Sequence, residues 1–251
     1  NASSRIIDDY KAQFGSKVSL APDLQQMYSE GENFNRVTPE QYMAFAESDY
    51  LAQSTFTAEV PGVGETVKAV GEENNPQGGQ LRIGGPGGEA QGTPTMKILG
   101  HSSEASLTEF ADGQRQLAEG RMYEATNEAI VSKEFADENG ISVGDTIAVN
   151  SLIGDDTPYE LTVTGIYLDA TPEFGDMPIQ MSFMNRRNEI LTSFDTIMSK
   201  SGSAVNIQAT YYLKDPDLLA EFESELRGKG LPEAYAVNTD EASYDKVVGP
   251  V

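Results

Sequence analysis

Apolar and β-branched residues fall into their plainest pattern between Leu117 and Asp169. Glu128–Val131 is a short apolar run of strand type, and Ser132 directly after it can cap a helix over Lys133–Asn139. Gly140 supplies the left-handed residue that ends such a helix. Ile141 and Val143 lead through a Gly144-Asp145 turn signal into a second strand, Thr146–Val149. The mixture of β-branched and apolar residues in Leu161–Leu168 predicts a third. Nothing in this stretch is chemically reactive in pattern. It reads as scaffold.

Elsewhere the pattern is patchier. Ile6, Ile7, Tyr10 and Phe14 share one helical face before Gly15, and Lys17–Leu20 suits a strand that runs into Ala21-Pro22. Thr38-Pro39-Glu40-Gln41 is a capping box with proline in the first turn, followed by Tyr42, Phe45, Ala46 and Asp49 on one side of a helix. Ser54–Val60 alternates as a strand does, and Thr66–Val70 is expected to pair with it. Thr95–Gly100 resumes strand character; residues 102–124 read as turns around Gly113 and Glu119-Gly120-Arg121. Asn188–Phe194 predicts a strand and Asp195–Lys200 a short helix. The strongest block comes last: a strand at Val205–Leu213, an Asp215-Pro216 start, and Leu218, Leu219, Phe222 and Leu226 at amphipathic spacing up to Gly228. Tyr235–Asn238 then returns as a strand, which makes a crossover unit.

Composition narrows the partners. A formal charge of -23 over 251 residues repels nucleic acid and anionic headgroups and favours cations, basic peptides and cationic surfaces. With no cysteine there is no disulfide, thiolate metal site or cysteine nucleophile. No run of about 18 apolar residues is present. The chain starts at Asn1 with neither initiator Met nor signal peptide, so the native polypeptide is expected to continue at both ends.

Candidate chemistry is thin. Asn74–Gly92 is glycine-rich, but no Gly-Lys-Ser/Thr ends it, so it reads as a loop with Leu81 and Ile83 as its apolar anchors. His101, the single histidine, follows a strand in a polar His-Ser-Ser-Glu turn. A triad built on it would take Ser102, Ser103 or a distant serine as nucleophile, yet no Gly-x-Ser-x-Gly elbow exists, and a solvated loop histidine is expected. Met177, Met181, Phe183 and Met184 cluster in sequence and are the other candidate contacts for a partner or substrate, set against ordinary core filling. Asp137-Glu138 and Asp155-Asp156 lack the alternating ligands of a calcium loop; no catalytic, metal or cofactor-binding residue is assigned.

One family resemblance gathers these motifs. GRMYEATNEAIVSKEFADENGISVGDTI and ELTVTGIYLD resemble the extracytoplasmic core domain of MacB/FtsX-like ABC transporter permeases, especially of Gram-positive type. The matching features are Glu119-Gly120-Arg121 with Tyr123, Glu128–Ser132, Ile141–Ile147 and Leu161–Tyr167. NEILTSFDT, the strand at 205–213 with Asp215-Pro216, and DKVVGPV at 245–251 also fall in place. The resemblance covers the chain from about residue 100 onward; the first hundred residues match in layout.

That resemblance implies an α+β fold with two subdomains. A porter-like mixed α/β part would come from both chain ends, residues 1–100 plus 203–251, and a strand-rich part, 101–202, would be inserted. It implies a non-enzymatic domain without cofactors, on the extracellular face of the membrane of a Gram-positive bacterium. It would be coupled through its own transmembrane helices to a cytoplasmic ATP-binding subunit in a dimeric transporter. An extracellular accessory protein or a cationic peptide would be its partner, with a peptide, lipoprotein or lipid-like substrate handled or a signal passed on. The alternative is a secreted two-lobed protein that binds a peptide or solute.

Overall fold

The computed structural model describes residues 16–76, 84–85, 88–89, 92–155, 157–178 and 180–239. The expected helix before Gly15, most of the glycine-rich segment, and the chain's last residues lie outside them. The architecture is α+β, and the chain groups into two compact units: residues 1–55 with 209–251, the terminal unit, and 56–208, the middle unit. The sequence expectation cut the chain at 100/101 and 202/203 instead. Residues 56–100 group with the middle because β2 (Leu51–Gly64) pairs along Thr57–Gly62 with β5 (Met96–His101), and β5 pairs with β10 (Glu189–Ser193).

In the terminal unit the strand order is β12 (Tyr235–Thr239), β1 (Lys17–Pro22), β11 (Asn206–Leu213). β1 is antiparallel to both neighbours, so the crossover from β11 through a helix to β12 straddles it. Val18 is the register partner of Tyr211 on one side and Thr239 on the other. Alternate residues Ala209, Tyr211 and Leu213 are buried on one face. Against them pack Phe222 and Leu226 of the crossover helix, with the Tyr211 and Phe222 rings 5.7 Å apart. Helices are α1 (Leu24–Glu30), which buries no residue, α2 (Pro39–Phe45), and the crossover helix, α6 (Leu219–Gly228). The capping box forms as spaced in the sequence: Thr38 Oγ1 accepts from Gln41 N at 3.2 Å and Gln41 Oε1 accepts from Thr38 N at 2.9 Å.

The middle unit is built from mixed strands. β2, β5, β10, β7 (Glu128–Ser132) and β9 (Tyr159–Asp169) are neighbours in that order, with β5–β10 and β7–β9 parallel. β8 (Thr146–Ser151) pairs with β9 through Tyr159–Thr162 and with β2 through Gly62–Gly64, closing the strands into a ring of six. β6 (Arg115–Gly120) continues outward from the second half of β9, with a register shift between Leu117 and Glu119. The main core holds Val60, Ile98, Val131, Val149, Leu161 and Ile190. Helix α4 (Lys133–Asn139) adds Phe135 and Ala136, and α5 (Phe194–Ser201) adds Phe194 and Ile197. A smaller cluster of Leu107, Ile130, Tyr167 and Leu191 lies under the short helix α3 (Thr108–Ala111). Between β2 and β5, β3 (Gly84–Gly85) and β4 (Gly88–Glu89) form a two-stranded pair.

Two local expectations change, and one helix was not foreseen. Thr66–Val70 is not a strand, because side-chain amides satisfy its backbone: Asn139 Oδ1 accepts from Lys68 N and Asn188 Oδ1 from Val70 N, each at 2.7 Å. Arg115–Gly120, read as turns, is a strand. Leu24–Glu30 is a helix without an apolar face turned inward.

Candidate functional site

The residues that carried the family resemblance assemble a clasp. Gly120 has φ 72°, and a Cβ there would lie 2.1 Å from the Thr164 carbonyl oxygen, so only glycine lets the chain turn this close to β9. Arg121, next in sequence, donates from its backbone to that same Thr164 carbonyl at 2.9 Å and from its guanidinium to both oxygens of Glu128, at 3.1 and 2.5 Å. Glu128 Oε1 also accepts from the backbone of Glu124 (3.0 Å) and Ala125 (2.7 Å). The Arg121 hydrogen bond, followed by those backbone donors, holds the Glu128 carboxyl down to about 2. These are the contacts of a closed loop, not of a reactive centre.

Beside it, the end of β9 anchors a buried ionic network. Asp169 Oδ2 faces Arg115 Nε at 3.0 Å and Arg187 Nη1 at 3.1 Å; its side chain is fully buried, as nearly are both arginines. The Arg187 contact has ion-pair distance without hydrogen-bond alignment. Arg115 Nη2 reaches Glu189 at 2.6 Å, and Arg187 Nη2 donates to the Thr171 carbonyl at 2.6 Å. Burial alone raises a carboxyl pKa; at Asp169 the bonds from Thr171 and the charge of Arg115 overcome it and hold the group below its ordinary value. Tyr167, stacked under Arg115 at 5.1 Å, is raised by burial and donates to the Glu189 carbonyl at 2.6 Å. Every charged member has a partner, which is what a structural network requires.

His101 contradicts its reading as a solvated loop residue. It is the last residue of β5, half-buried, with Nδ1 2.8 Å from Ser106 Oγ, which itself donates to the Ser103 carbonyl at 2.9 Å. Burial, slightly opposed by Glu109 and aided by Arg115, lowers its pKa to about 4. Ser103 caps the following turn and Ser102 Oγ accepts from Phe56 N, so neither serine stands as a nucleophile against the imidazole.

The predicted contact residues scatter. Met177 is exposed, Met184 half-buried, and Met181 and Phe183 lie in the interior, where Lys97 Nζ sits 4.4 Å over the Phe183 ring. Leu81 and Ile83 lie outside the described residues. Among the described residues no three His, Asp or Glu side chains are placed to share a metal ion. No helix of the described residues is long and apolar enough to cross a membrane.

Sequence reasoning missed a groove in the terminal unit. An open cavity of about 670 Å³ lies between the end of β1, the start of α1 and the start of β12, lined by Asp23, Gln26, Glu233, Tyr235, Ala236 and Arg227 among others. Its residues come from distant parts of the chain, and no local pattern marks them. Arg227 is already engaged, donating to the carbonyls of Pro232 and, at 2.8 Å, Tyr235.

Comparison with known proteins adds four findings. The model of the MacB-like periplasmic core domain matches residues 15–229. A permease of Bacillus subtilis (strain 168), described as the uncharacterized ABC transporter permease YclI, is 28% identical over 176 residues, 67% of this chain and 36% of its own length. The chain thus spans about a third of that relative. In structure it is similar to the periplasmic region of MacB from Actinobacillus actinomycetemcomitans, with TM-score 0.50 and 9% identity over 98% of this chain and 99% of the other. It also matches the extracellular domain of the noncanonic ABC-type transporter YknZ from Gram-positive bacteria, with TM-score 0.46 and 13% identity over 88% and 99%.

Proposed function

The chain belongs to the MacB-like periplasmic core domain family, a non-catalytic extracytoplasmic domain of ABC transporter permeases, and from that premise we propose that it is a force-transmitting outer domain. It stands on the outer face of the membrane of a Gram-positive bacterium, as the Bacillus relative suggests. Its own transmembrane helices and a cytoplasmic ATP-binding subunit drive it, within a dimeric transporter. An extracellular accessory protein or cationic peptide meets its acidic surface, and the transporter exports or handles a peptide, lipoprotein or lipid-like molecule or passes a signal.

One observation carries this reading. Val18 near the start of β1 and Thr239 at the end of β12 are register partners on adjacent antiparallel strands. Such partners have Cα atoms about 5 Å apart, so the first and last described strands of the chain lie side by side in the terminal unit. That adjacency supports a domain hung between two membrane helices, in which β1 and β12 are the strands that take up their movement.

The adjacency also sets the experiment. In the full-length permease with its ATP-binding subunit, residues 19–238 are replaced by a short Gly-Ser link across that gap. Membrane insertion and basal ATP hydrolysis are expected to persist, while ATP-dependent transport or signalling is lost. Unchanged transport by the shortened protein would overturn the proposal.

A further inference from the structure

The terminal unit's outer strand has the features of a docking edge, and we propose that β12 receives an extended, lysine- or arginine-bearing peptide segment as an added strand. The register fixes which backbone groups are free to do this. Asp23 N donates to Ala234 O at 2.7 Å, which makes 23–234, 21–236 and 19–238 the hydrogen-bonded pairs of the β1–β12 ladder. The N–H and C=O groups of Tyr235, Val237 and Thr239 therefore point away from β1. Those of Tyr235 are taken, N–H by the Pro232 carbonyl and C=O by Arg227. Those of Val237 and Thr239 have no partner among the described residues.

Edges left in this state are normally protected by proline, charge, a bulge or a covering element. The strand at the far end of the described large sheet shows such protection: β6 carries Arg115 and Glu119 and a register shift between Leu117 and Glu119. β12 reads Tyr-Ala-Val-Asn-Thr, regular in register and without charge or proline. At its start the edge runs into the groove, where exposed Glu233 and Asp23, whose Oδ1 caps α1 by accepting from Gln26 N at 3.0 Å, present carboxylates and the lining cation, Arg227, is held by two carbonyls and by Glu223 at 3.5 Å.

Charge selects the occupant. The described residues of the terminal unit carry twelve carboxylates against five basic side chains, in a chain of net charge -23. A second copy pairing edge to edge brings two such surfaces together and is repelled, whereas a basic strand is drawn in. Backbone bonds to Val237 and Thr239 would supply register, and a basic side chain reaching the groove would supply selectivity. This rests on the proposed meeting of a cationic peptide with the acidic surface and assigns it a place, and it can fail while the permease-family assignment holds.

The test uses the whole 251-residue chain and a panel of hexapeptides alternating lysine or arginine with valine or threonine, beside matched glutamate peptides. At saturating basic peptide, amide exchange at Val237 and Thr239 is expected to slow at least tenfold, with the glutamate series inactive. Val237→Pro, which removes an outward N–H and leaves the ladder to β1 intact, should weaken binding more than tenfold. Asp23→Asn with Glu233→Gln should weaken it several-fold at low salt, and unchanged exchange at Ser19 and Leu20 would show that these variants are folded. Absence of binding, equal binding of acidic peptides, protection elsewhere than β12, or a solution dimer that protects β12 without peptide would each overturn the proposal.

Discussion

The two units solve the same problem, the sheet edge, in opposite ways. In the middle unit β8 ties β9 back to β2, so the main-chain ladder of the ring closes on itself around a core of aliphatic side chains. The strand that extends this sheet beyond the ring, β6, is bulged and charged. In the terminal unit the three strands stay open, one face is packed by α6, and exposed Ala236 and Asn238 lie on the other. Beside the ring, where β6 meets the end of β9, a buried charge network forms in which each carboxylate and guanidinium has an opposite charge in reach. The open unit relies on hydroxyl and guanidinium bonds to backbone, such as Tyr211 Oη to the Tyr42 carbonyl at 2.6 Å and Val37 N to Tyr235 Oη at 3.0 Å. One part is built to keep its shape, and the other keeps a strand available.

The sharpest way to break this contrast is Asp169→Ala. The substitution leaves Arg115 and Arg187 buried without their shared carboxylate. Loss of one member of a buried ion pair costs about 3–5 kcal/mol. Urea unfolding followed by far-UV circular dichroism should show the middle unit's midpoint falling accordingly. A change under 1 kcal/mol would mean that these charges do not compensate one another as a buried network.

Gly120→Ala should come next. Its Cβ would meet the Thr164 carbonyl at 2.1 Å in a left-handed conformation. Left-handed backbone alone costs an L-residue about 1–2 kcal/mol, and the clash adds to it. Gly113→Ala is the control: φ is 82° but nothing lies within 4 Å, so only the backbone cost remains. If both variants lose the same stability, the close approach to β9 is not what that motif glycine serves.

His101 gives the pH dependence. Its folded pKa is lowered to about 4 from 6.5, chiefly by burial. Above 6.5 the imidazole is neutral in both states and contributes no dependence. As pH falls from 6.5 to 4, the unfolded chain takes up a proton that the folded chain refuses, so stability is lost across that window and levels off below it. The expected loss is on the order of 2–3 kcal/mol. His101→Gln should flatten this part of the curve, and because His101 is the only histidine in the chain, no other imidazole obscures the result.

How much of this was legible beforehand depended on whether the signal was local. Ser132, Gly140 and the Thr38–Gln41 box act over three or four residues, and each forms as the sequence indicated: Ser132 Oγ accepts from Phe135 N at 3.0 Å and Gly140 has φ 61°. The crossover around α6 was legible for the same reason, although its insertion of β1 between β11 and β12 was not. β6 went unseen because five of its six residues are exposed, so no alternation of apolar residues announces it. α1 went unseen because it turns no apolar stripe inward. The Asp169 network joins residues 54 or more positions apart on one side, and His101 is buried by segments that its own neighbours do not reveal. The groove at β12 belongs to this class as well.

The smallest expected effect is also the one that separates exposure from instability. Leu24 and Tyr28 stand one helical turn apart on α1, 58% and 79% exposed, on a helix that buries none of its residues. Neither can contribute packing that is not there, so Leu24→Ser with Tyr28→Ser should shift stability by no more than about 0.5 kcal/mol, as surface changes do. Thr38→Ala, which removes the cap of the neighbouring α2 and leaves Gln41 N unpaired, should cost about 1 kcal/mol in the same unit. Paired urea titrations of the two variants then calibrate the open unit from within. If the serine pair cost as much as the lost cap, α1 would be part of the terminal unit's packing, and that unit would be less open than its outer strand implies.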